Sequence, residues 1–135
     1  MNKNEYALII FSILILTGHA FGIFLHFYDI IPLYDSLLHV IGGLWIASII
    51  FYLIEKRGSF SLSFVSPLFA VCSVSGIVLS FGLLWEFLEY ALDTIAFNAY
   101  GIMLNIQPSI FDTLKDMGVA WIASMIYTAI LVKKK

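Results

Sequence analysis

Charge is what this chain has least of. Only 12% of its 135 residues are Asp, Glu, Lys or Arg, against 61% hydrophobic, and the mean hydropathy is +0.99. A soluble domain of this size needs far more polar surface to cover its core, so a water-soluble globular fold is excluded. Cysteine is nearly missing too. The single Cys72 rules out an internal disulfide and argues against a thiolate metal site, and its apolar surroundings predict a packed thiol. A formal net charge of −2 provides no basic surface for nucleic acid. A serine nucleophile elbow, a P-loop and an HExxH pair are absent, so no standard motif sets the chemistry.

What the chain does have is long apolar runs. Hydropathy predicts four membrane spans, at 6–28, 34–54, 64–92 and 110–132, and hence one all-α integral membrane domain, a four-transmembrane-helix bundle. Pro32 separates the first two spans, EKRGS at 55–59 the second and third, and a long, partly apolar loop at 93–109 the last two. That loop is expected to lie along the membrane surface or to fold back over the helix ends. The first run continues through Phe27, too long for the apolar core of a cleaved leader despite Lys3 and Gly18-His19-Ala20. Lys3, Lys56, Arg57 and Lys133 to Lys135 flank the same ends of the spans, so the positive-inside rule predicts cytoplasmic termini in a plasma (inner) membrane. Tyr28, Tyr34, Tyr90 and Tyr100 fall near the opposite face, where interfacial tyrosines are common.

The scarce ionisable residues fall at one depth. Asp35 and His39 are four apart at the start of the second span. Glu86, Glu89 and Asp93 form an i, i+3, i+7 stripe at the end of the third, and Asp112 and Asp116 open the fourth. An acid inside a span costs about 2.5–3.5 kcal/mol, so such groups face the bundle interior and pair there. Six carboxylates and one imidazole, with only Lys115 nearby, must hold protons or attract cations. A divalent metal ion bound by Asp35, His39, Glu86, Glu89, Asp93, Asp112 and Asp116 satisfies them, and Mg²⁺, Mn²⁺, Fe²⁺ and Zn²⁺ all suit oxygen ligands with one imidazole. A metal-activated water with Glu86 or Glu89 as catalytic base would then act on a lipid or small phosphate-bearing substrate at the outer leaflet.

Simpler roles stand beside these. Ser109-x-x-Asp112 reads as a capping box, Asp93 as a solvated helix end, and His19 and His26 as packing or hydrogen-bonding histidines. Gly42, Gly43, Gly76 and Gly82 read as small-residue packing positions. The acids as a set could instead be a structural hydrogen-bond network, or the ion or proton site of a transporter or channel subunit. A conduit of four spans would need a homo-oligomer, and the cytoplasmic half of the spans is almost free of ionisable residues.

Three blocks, LYDSLLHVIGG (33–43), LLWEFLEYALD (83–93) and QPSIFDTLKDMGVAW (107–121), resemble the YjdF-like family of bacterial inner-membrane proteins. On that resemblance Tyr34, Asp35, His39, Gly42 or Gly43, Glu86, Glu89, Gln107, Asp112, Thr113, Asp116 and Met117 form a shared constellation. Ser109 stands where the family carries a further acid, and the chain is shorter. A weaker likeness to VanZ-type membrane proteins rests on the Asp-x-x-x-His turn. Neither resemblance implies a known activity.

Overall fold

Backbone amides in hydrocarbon have no water to bond to, so each apolar run must satisfy its own, and each does so as an α-helix. A computed structural model describes residues 3–57, 66–102 and 109–133. They form α1 (Lys3–Phe24), a one-turn α2 (Phe27–Ile30), α3 (Tyr34–Arg57), α4 (Pro67–Tyr100) and α5 (Ile110–Lys133). All but α2 are long and apolar enough to cross a bilayer, which makes the chain an all-α, four-helix membrane architecture.

Two helix ends differ from the hydropathy reading. The first helix stops at Phe24, because His26 takes a left-handed conformation (φ 57°) and reverses the chain into α2. His26 is therefore exposed in a connection, near Asp29, and is not the packing histidine its sequence position suggests. The third long helix does not stop at Leu92 but runs on to Tyr100. Residues 93–100 contain neither Gly nor Pro, and the Thr94 hydroxyl bonds back to the Tyr90 carbonyl. Gly101, at φ 66°, ends the helix, its N–H bonding the Phe97 carbonyl at 2.9 Å. At the other end Ser66 caps α4 by accepting from the Phe69 N–H at 3.2 Å, with Pro67 in the first turn. The connection to α5 thus shortens to 101–109, and its residues 103–108, Gln107 among them, lie outside the described residues.

Helix α5 packs along both α3 and α4, and α1 lies against the far side of α3. Small residues set the closest approach. A Cβ on Gly43 would meet the Ala120 carbonyl oxygen at 2.6 Å, so the α3–α5 contact requires glycine there. Below this crossing, Ala47, Phe51, Ala70, Val74, Val78 and Ala120 form an apolar core, with Ser48, Ser75, Ser124 and Thr128 also buried. Helix α1 is held by Leu38 packing on Gly18 and by two polar clasps: the Tyr34 hydroxyl donates to the Gly18 carbonyl (2.7 Å) and Trp45 Nε1 to Ser12 Oγ (3.0 Å). Cys72 is exposed, not packed, because Ala70 and Val74 own the inward face of α4 and residue 72 lies opposite them.

Candidate functional site

The antiparallel course of α3, α4 and α5 brings their acidic turns to one level. His39 occupies the second turn of α3, Glu86 and Glu89 the C-terminal half of α4, and Asp116 the second turn of α5. All four are buried, with 7%, 5%, 2% and 1% of their surface exposed. Ionisable groups buried this deeply need a specific polar counterpart.

His39 supplies the centre. Its Nε2 lies 3.4 Å from Glu86 Oε1, 3.7 Å from Asp35 Oδ1 and 3.8 Å from Glu89 Oε2. Hydrogen bonds of this type are about 2.7–3.2 Å long, so the imidazole faces the three carboxylates across a gap. Two ligands each about 2.1 Å from one ion sit roughly 3–3.5 Å apart, which is near the closest of these spacings. Donor atoms of Asp35, His39 and Asp116 lie within 4.8 Å of one another, and so do those of His39, Glu86 and Glu89. The two groups share His39. Asp35 Oδ1, His39 Nε2, Glu89 Oε2 and Asp116 Oδ1 are buried without a hydrogen-bond partner. Four carboxylates thus face His39 and, through Asp116, the half-exposed Lys115 (3.5 Å). Two groups able to carry positive charge cannot neutralise four acids.

Of the seven sequence-derived ligands, the structure brings five together and leaves two aside. Asp112 belongs to neither group. Its carboxylate is paired with Lys115 Nζ, and its N–H bonds the Ser109 hydroxyl at 3.2 Å, the forward half of a capping box. Asp93 also belongs to neither group. It lies seven residues beyond Glu86, about 10 Å further along a helix that continues past it.

A surrounding layer holds the site in place. Trp85 Nε1 donates to Glu89 Oε1 at 2.6 Å, which leaves Oε2 directed at His39. The Trp85 ring lies 4.9 Å from the His19 ring, and His19 Nδ1 is 2.5 Å from the Tyr28 hydroxyl. Burial pushes the Tyr28 phenol up, with the acids Asp35 and Glu89 adding to it, so the phenol keeps its proton and can donate to Nδ1. His19 is a hydrogen-bonding histidine that braces the centre through Trp85. Ser36, buried one residue after Asp35, faces Asp116. The sequence reading missed Trp85, Tyr28 and Ser36. Only Trp85 carried a signal, its i, i+4 spacing to Glu89 on one helix face.

The fold and site define a polytopic α-helical membrane protein with a buried histidine–carboxylate centre. The chain matches, over residues 3–134, the family described as "Predicted membrane protein (DUF2238)", and it belongs to that family. No curated protein and no solved structure matches it.

Proposed function

We propose that the protein is a divalent-cation-binding membrane protein whose site is formed by Asp35, His39, Glu86, Glu89 and Asp116. One observation carries the reading: His39 faces Asp35, Glu86 and Glu89 at 3.4–3.8 Å, in a buried centre with more acidic groups than basic ones. A cation with a preference for oxygen and a single imidazole answers that charge, as Mg²⁺, Mn²⁺, Fe²⁺ and Zn²⁺ do. Glu86 or Glu89 is then placed to move a proton in a hydrolysis or transfer reaction on a lipid or phosphate-bearing substrate. The likeness of three blocks to YjdF-like proteins supports a shared constellation at these positions. The positions of Lys3, Lys56, Arg57 and Lys133 support cytoplasmic termini in a plasma membrane, which turns the site toward the outer leaflet.

A one-sided site is favoured over an ion conduit because Ala47, Phe51, Val78 and Ala120 pack together below it. The test is thermal. Protein stripped with chelator should gain stability when Mn²⁺ or Zn²⁺ is restored, by about 2.7 kcal/mol at a hundredfold excess over Kd. Glu89→Gln keeps the side chain's shape and removes its charge, and should lose most of that gain. A melting temperature blind to metal in the wild-type protein would refute the cation site and leave the structural network standing.

A further inference from the structure

Helices α1 and α4 both flank α3 but make no extended contact with each other among the described residues. Between them lies a cavity of about 360 Å³, floored by Ile46, Ile50 and Leu53 of α3 and walled by Ile15, Val78 and Phe81. That volume falls in the small-molecule range of roughly 300–1,000 Å³. Apart from Trp45, whose indole N–H donates to Ser12, its polar groups gather at one end, where His19, His39 and Trp85 line it. His39 is the centre of the cation site, and Trp85 holds Glu89.

We infer that this groove seats one acyl chain of a membrane phospholipid and thereby presents the lipid's phosphate to the histidine–carboxylate centre. The inference rests on the cation reading for the headgroup, while the tail site stands on the groove alone. Four observations select this occupant. The helices that frame the groove are the spans themselves, so it opens sideways onto lipid. From His39 to Leu53 it covers fourteen residues of α3, about 21 Å, more than one leaflet's share of a roughly 30 Å hydrocarbon core. Its walls are apolar along this length, which suits a tail and not a polar solute. The acids do not line the groove but lie directly behind its His39 and Trp85, and they repel an anionic headgroup there unless a cation lies between them, so phosphate and metal complete each other at that end.

Two glycines make the test clean. A Cβ on Gly82, which lines the groove, meets nothing within 4 Å, and neither does one on Gly76, which lies outside it on the same helix. Gly82→Leu should therefore fill the groove without disturbing the helix, and Gly76→Leu serves as the matched control. The proteins are reconstituted in nanodiscs of phosphatidylethanolamine and phosphatidylglycerol, then released for native mass spectrometry and elemental analysis. Wild type and Gly76→Leu should retain one phospholipid per chain. Gly82→Leu should retain about tenfold less, the effect of displacing roughly two buried methylenes, at unchanged metal content. Nanodiscs containing diacylglycerol, with the same tails and no phosphate, should leave less lipid bound to wild type, and Glu89→Gln should erase that preference.

Equal retention by Gly82→Leu and Gly76→Leu overturns the tail site. So does a change in oligomeric mass in place of lipid count, which would assign the groove to a second copy of the chain. Equal retention of diacylglycerol and phospholipid by the wild type overturns the headgroup assignment. Lipid retained by a protein without metal refutes the cation reading and leaves the tail site intact, whereas metal retained without lipid does the reverse.

Discussion

Glu89 shows how much one side chain carries in this protein. One of its oxygens accepts from Trp85 at 2.6 Å, and the other points toward His39. The indole therefore fixes the carboxylate's orientation without itself facing the centre. Hydrogen-bond partners of metal ligands are typically worth about 10–100-fold in metal affinity. Trp85→Phe keeps a ring against His19 and deletes the N–H, so it should weaken divalent-cation binding by about that factor while leaving the fold intact. Competition titration against a fluorescent chelator measures this directly, and an unchanged affinity would show that Trp85 only packs. Sequence reasoning found Glu89 by its depth in the span and its period, and among the acids it set simpler roles beside Asp112 and Asp93 while still counting both as ligands. Asp112 and Asp93 share the same stripes as true neighbours of His39. One is captured by Lys115 and the other lies about 10 Å too far along its helix.

At the scale of the element, the crossing of α3 and α5 decides whether the site assembles. Gly42 and Gly43 are adjacent and chemically identical, yet the structure separates them. Gly43 lies against the Ala120 backbone, whereas a Cβ at Gly42 meets nothing within 4 Å. Gly43→Ala must push α5 away and should destabilise the bundle by roughly 1–3 kcal/mol, as overpacking does. Gly42→Ala should be neutral or stabilising by up to about 1 kcal/mol, since alanine is the better helix former. Melting curves of the two variants in one detergent decide it, and equal effects would mean that the helices do not meet there. The sequence marks both glycines as small packing positions and cannot say which faces a helix, because that depends on the rotation of α3 about its axis. The same limit hid the run of α4 past Leu92, where local helix propensity outweighed the falling hydropathy.

The whole molecule was legible in the sequence to the degree that bilayer physics dictates it. Too few charges for a soluble surface, four runs of bilayer length and the all-α fold follow from one another. So does the convergence of the acids, since antiparallel helices with acids at matching ends must bring them to one level. The lateral groove did not follow, because it arises where α1 and α4, which meet through His19 and Trp85, make no extended contact across α3 among the described residues, and no local pattern encodes that spacing. We propose that a metal ion, and not protons alone, answers the excess of buried acids around His39. Elemental analysis of the wild-type protein, purified without chelator and equilibrated with Mg²⁺, Mn²⁺, Fe²⁺ or Zn²⁺, tests it most directly. About one tightly held divalent ion per chain is expected, lost in His39→Ala and Glu89→Gln. Wild-type protein that carries none of these metals would contradict it.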